Sequence, residues 1–173
     1  MSMNISDFAR QGQVYTGCTT AAGLTTGLST TATGLIINNP FGSGKNFLMF
    51  DACAALSAVP ATFAEVMISV SSAISAVAHA TTTSAGLIQA AKVGNGSGQS
   101  VAQLFTISTT PIVNVNYKVV PGSVTTASTA TPTFYSKLDG SLILVPGTFV
   151  QFSFTTTAYT AQMSFTWAEV AAF

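Results

Sequence analysis

Charge is scarce in this chain. Only 6% of its 173 residues are Asp, Glu, Lys or Arg, against about 25% in an ordinary globular domain. The five basic and five acidic residues cancel, so no net field draws in a nucleic-acid backbone or an anionic membrane. Histidine occurs once, as His79, and cysteine twice, as Cys18 and Cys53. One histidine among scattered acids does not make a metal-ligand set. Two cysteines without a CxxC spacing read as reduced, partly buried thiols. No window reaches the roughly 18 uninterrupted apolar residues of a membrane span, because Asp51, Pro60 and Glu65 break the most apolar region. The start "MSMNISDFARQGQVY" has no apolar core behind a basic segment, so no secretory leader is expected.

What is abundant is Thr, Ser, Ala and Gly, within a chain that is 48% hydrophobic. A surface so poor in charge has little colloidal repulsion. That leads to two expectations: hydroxyl-dressed outer faces, and partner subunits covering much of the rest.

The local signal is β. Val66, Ile68 and Val70 alternate mostly with small polar residues, Val150, Phe152 and Phe154 with Gln151, Ser153 and Thr155, and Met163, Phe165 and Trp167 with Ser164, Thr166 and Ala168. A period of two marks strands with one face in a core. Further strands are predicted over Gly34 to Asn38, Asn46 to Leu56, Leu87 to Val93, Val101 to Ser108, Ile112 to Val119 and Leu142 to Val145. Turn punctuation stands between them in "NNPFGSG", "AVPAT", "VGNGSGQ", "VVPGS", "LDGS" and "VPGT". Thr126 to Leu138 reads as a loop or a short edge piece. Ile74 to Val93 reads equally as helix or strand, and Thr19 to Gly34 as an extended strand plus loop or an arm on a neighbour. Many short strands at this spacing suggest a sandwich or a barrel, and an all-β antiparallel sandwich is the fold expected. Residues 1–34 are expected to form an extended N-terminal arm or edge strand, and residues 35–173 the domain.

The stretch "NNPFGSGKNFLMF" raises the question of a phosphate-binding loop. That motif needs GxxxxGK[ST] opening a helix. Asn39 stands where the first glycine belongs and Asn46 where the hydroxyl belongs, and a β-rich run follows. A glycine turn between strands, with Lys45 in solvent, is the better reading. No GxSxG elbow is present. Asp7, Asp51, Glu65, Asp139 and Glu169 share no motif, and Asp139 in "LDGS" reads as a turn residue. Phe152, Phe154, Phe165 and Trp167 offer a stacking platform in principle, but their alternation favours burial, and basic partners for a nucleic acid are missing. No catalytic, cofactor-binding or metal-ligating residue is therefore assigned, and an enzyme is not expected.

Two segments resemble small β-rich virion proteins of tailed bacteriophages. They are "NPFGSGKNFLMFDACAAL" and "DGSLILVPGTFVQFSFTTTAYTAQMSFTWAEV", the latter closing on a Trp-x-Glu pattern at Trp167, Ala168 and Glu169. The tail "AAF" departs from the proline-terminated end of that family. The resemblance implies a jelly-roll-like sandwich, commonly trimeric and displayed on the virion. It also implies a role as a head decoration (cement) protein bound to the major capsid protein, with no cofactor, nucleic acid or membrane as partner, and made in the host cytoplasm. The alternative it leaves open is a receptor-binding knob of a fibre or spike, with recognition in loops such as Val93 to Gln99 and Thr125 to Lys137.

Overall fold

The computed structural model describes residues 4–24, 32–57, 64–72, 86–90, 100–108, 115–124, 133–154 and 159–172. They form one short helix, α1 (Ile5–Arg10), and ten strands. The strands are β1 (Val14–Leu24), β2 (Ala32–Asn39), β3 (Lys45–Leu56), β4 (Ala64–Ser72), β5 (Gly86–Ala90), β6 (Gln103–Ser108), β7 (Val115–Val124), β8 (Thr133–Leu144), β9 (Thr148–Phe154) and β10 (Tyr159–Ala171). One sheet runs β5-β1-β10-β3-β8 and the other β6-β2-β9-β4-β7. Every described strand pairing is antiparallel. The fold is thus an all-β antiparallel sandwich, as expected.

The connectivity is a set of nested pairs. β1 pairs with β10, β2 with β9, β3 with β8 and β4 with β7. The pairs alternate between the two sheets, and β10–β3 and β9–β4 contacts join them within each sheet. β5 and β6 lie within the innermost connection, between β4 and β7, and add themselves outside β1 and β2.

The alternating residues meet between the sheets. Met163, Phe165 and Trp167 from β10 pack with Phe47 and Met49 of β3, Leu35 and Ile37 of β2, and Val150 and Phe152 of β9. The rings of Phe152 and Phe165 stack across the sandwich with centroids 4.5 Å apart. In β9 the expectation of one wet face fails. Phe149, Gln151 and Ser153 point away from this core, yet they are as fully buried as Val150 and Phe152.

The N-terminal segment also departs from expectation. Residues 5–10 form α1, capped by Asn4, whose side chain accepts from the Ser6 amide. Asp7 lies in its first turn and Arg10 in its last, the charge placement a helix dipole favours. Ile5, Phe8 and Ala9 close over Val14, Leu48, Phe50 and Ala168 on the outer face of the first sheet. β1 pairs with β10 along its length and with β5 over Tyr15–Thr19, so residues 15–19 belong to the sheet interior and the rest of β1 is part of the sheet, not a free arm. Residues 1–3 and 25–31 of the expected arm lie outside the described residues.

Two turn signals sit inside strands instead. "LDGS" lies within β8, with Asp139 at φ 48° and Gly140 at φ 76°. Met49 pairs with Leu142 and Asp51 with Lys137, so residues 138–141 bulge opposite Phe50. Residues 133–138, read as a loop or edge piece, are the first half of this edge strand. Likewise Pro121 and Gly122 fall within β7 where its register against Glu65 and Met67 shifts. β7 and β8 are the last strands of their sheets, where Pro, Gly and bulges are tolerated and block edge growth.

Gly17 shows how tightly β1 is held. A Cβ there would lie 3.1 Å from Ile37, Leu104 and Trp167 alike, and Ile37 and Trp167 are completely buried. Overpacking of this kind costs about 1–3 kcal/mol, more than the ~0.5–1 kcal/mol that replacing a strand glycine recovers. Gly17→Ala is expected to lower stability by about 1–2 kcal/mol in urea unfolding; an unchanged midpoint would show that the interior yields here.

Candidate functional site

The glycine loop is a structural clamp. Asn39, at the end of β2, donates its Nδ2 protons to the carbonyls of Lys45 and Leu144, both at 2.8 Å. Its Oδ1 accepts from the Ser43 hydroxyl at 2.6 Å, and its carbonyl accepts from the Gly147 amide at 2.7 Å. One buried amide thus ties the loop, the start of β3 and the β8–β9 turn together. Gly42 and Gly44 supply the positive φ angles, 74° and 65°, that let residues 40–44 fold under it. Lys45 opens a strand, not a helix, and pairs with Ala171. It is half-buried rather than fully in solvent. This arrangement matches the turn reading.

The most elaborate polar site lies near the same, C-terminal end of β10. Glu169 is buried and its Oε1 accepts from the hydroxyl of Ser100, from the Val101 amide at 3.2 Å and from the Trp167 indole Nε1 at 3.3 Å. Oε2 shares the Val101 proton, and Ser100 Oγ accepts in turn from the Ala102 amide. The Glu169 amide donates to the Gln13 carbonyl. Strand alternation puts Trp167 and Glu169 on the same inward face, so the carboxylate closes the row of aromatic side chains and holds residues 100–102, which lead into the other sheet. Tyr15 packs on Trp167 with ring centroids 6.2 Å apart. Burial, and then the negative charge of Glu169, push its hydroxyl above the usual tyrosine range. Sequence reasoning saw Trp-x-Glu only as a pattern; a lone acid gives no signal of the donors that converge on it.

On the outer face of the first sheet two polar rows cross the strands. Thr16 and Thr166 are hydroxyl to hydroxyl at 3.3 Å, and Thr166 also hydrogen-bonds Asp51. In the neighbouring row Cys18 and Cys53 each pair with Ser164. They are therefore two strands apart, about 9.5 Å, beyond the ~7 Å limit for a disulfide, and both thiols are free. Burial, and then the Asp51 charge, raise the Cys53 thiol above its ordinary range, the opposite of what activates a nucleophilic cysteine.

The remaining candidates do not converge. Asp7 is exposed on α1, Glu65 is half-buried in β4, and Asp139 lies in the β8 bulge, 3.2 Å from the Lys137 ammonium. Phe152, Phe165 and Trp167 are core residues, and Phe154 lies in β9. His79, residues 93–99 and residues 125–132 lie outside the described residues. Among the described residues no three His, Cys, Asp or Glu side chains come together, and no helix is long and apolar enough to cross a membrane.

Two outcomes follow from this chemistry. Glu169→Ala leaves an indole, a hydroxyl and a backbone amide without their acceptor, and should cost about 3 kcal/mol in denaturant unfolding. Emission from Trp167, the one tryptophan, supplies the readout, and a cost below 1 kcal/mol would sink the anchoring role. At Asp51, burial pushes the carboxyl above its ordinary 3.8, partly offset by the Thr166 hydrogen bond. The folded form therefore holds the proton more tightly, and stability falls as pH rises from 3.8 through the raised value. Asp51→Asn should remove this dependence and melt no lower than the parent at neutral pH; a lower melting temperature there would reverse the sign. No protein-family model, no curated protein and no solved structure matches this chain.

Proposed function

We propose that this chain is a structural subunit of a tailed-phage virion, a capsid decoration protein. It binds between major capsid subunits and stabilises the head through contact, without catalysis. The observation that carries this reading is the nested pairing of β1 with β10, β2 with β9, β3 with β8 and β4 with β7 across two sheets. This nesting supports a jelly-roll-like reading, with β5 and β6 as an insertion, and jelly rolls are recurrent in viral shells.

The same architecture serves lectins and cupins, so the order alone does not select a role. Three further features favour the virion. The surface has little charge, the described acids and thiols form no reactive grouping, and the two quoted segments resemble phage virion proteins. Self-association, as a trimer in the resemblance, belongs to the same proposal and fits a chain whose net charge is zero.

Gold-labelled antibody against the protein, applied to intact purified particles, is expected to mark the head surface in electron micrographs. Particles stripped of the protein should disrupt at a lower temperature than decorated ones. Label confined to tail or fibre tips would replace the decoration role with that of an adhesin.

A further inference from the structure

Four large hydrophobic side chains stand exposed among the described residues, and all four border one strand. Tyr135, Ile143 and Val145 are 55%, 42% and 48% exposed along and just after β8. Phe41, 53% exposed, lies against Gly147 in the turn that follows. β8 is the edge of its sheet, and its outward residues alternate strictly with buried ones on either side of the bulge. Its only charges are Lys137 and Asp139, of opposite sign, at the bulge.

The register against β3 shows how this edge matches itself. Tyr135 stands opposite Cys53 and Ile143 opposite Leu48, which are equally far from the midpoint between Phe50 and Asp51. Lys137 stands opposite Asp51, and the bulge that carries Asp139 stands opposite Phe50. A two-fold axis through that midpoint therefore sets Tyr135 of one copy against Ile143 of another. It sets Lys137 against the Asp139 bulge, twice over. An aromatic against a β-branched residue and a cation against an anion are favourable cross-strand pairs.

We propose that the β8 edge is a two-fold contact with a second copy of this chain. The inference rests on the preceding reading only in that copies of this chain associate, and neither on the three-fold symmetry the resemblance implies nor on a place in the virion. The bulge on the axis interrupts a continuous ladder, so the contact is made chiefly by side chains. One pairing uses up the edge, and the contact joins copies in pairs rather than in an open fibre.

Particle mass by light scattering after gel filtration tests this, on the full chain and two variants. Ile143→Asp combined with Tyr135→Ser should halve the mass at equal concentration, because it removes both apolar partners. Lys137→Asp should weaken the pair about tenfold, an effect that added salt diminishes. All three positions are exposed, so thermal unfolding by circular dichroism should confirm that the variants remain folded. A variant that unfolds is replaced by Ile143→Ser alone. A parent chain that is monomeric overturns the proposal together with the self-association it rests on. A parent oligomer whose mass none of these variants changes overturns the β8 contact alone.

Discussion

The inward row of β10 is the constraint on which the rest depends. Met163, Phe165 and Trp167 fill the space between the sheets, and Glu169 ends the row with a carboxylate that has to be satisfied where water does not reach. Its acceptors are met by a hydroxyl, a backbone amide and the indole of its own strand. Those donors come from β10 and from residues 100–101, which lead into the opposite sheet. The carboxylate therefore fixes how the two layers meet at that end. Near the same end of β3 a neutral amide, Asn39, joins the β2–β3 loop to the β8–β9 turn.

The sandwich was legible where side chains alternate by size and polarity. β4, β9 and β10 follow from the period-two rows that begin at Val66, Val150 and Met163, and β3 from its apolar run. β1 was not legible, because "VYTGCTTAAGL" is built of small residues that suit either face, and Gly17 is there to leave room for Trp167. Helix α1 is too short to carry a period of its own, and it forms because Phe8 finds Phe50. Pro-Gly and Asp-Gly announce a departure from ladder geometry, but not whether the chain reverses. At Gly147 a turn separates β8 from β9, whereas at Asp139 and at Pro121 the strand continues past a bulge. The candidate sites were legible mainly as negatives, since a broken motif is visible in sequence while a convergence of donors on Glu169 is a property of the fold.

Few charges do not mean few buried polar groups. Among the described residues, Gln151 is fully buried with neither side-chain amide atom paired, and the Ser136 hydroxyl is buried in the same condition. Groups of this kind cost roughly 1–3 kcal/mol each, and here they stand beside well-made pairs such as Ser69 with Ser153 at 2.6 Å. A Thr- and Ser-rich chain spends hydroxyls on both faces of its strands, and the fold satisfies them unevenly.

The nested pairing has a kinetic side. Val14 pairs with Ala168 and Tyr15 with Trp167, so the first strand synthesised can pair early with β5 but meets its longer partner only when the tenth has left the ribosome. Until then β1 and β3 have an unfilled gap between them, and β2 and β4 await β9 in the other sheet. Closing such distant partners carries the loop entropy that makes β-rich chains slow to fold. During that wait the apolar rows of four strands lie open to other nascent chains. Low temperature and slow expression should therefore favour soluble protein over aggregate.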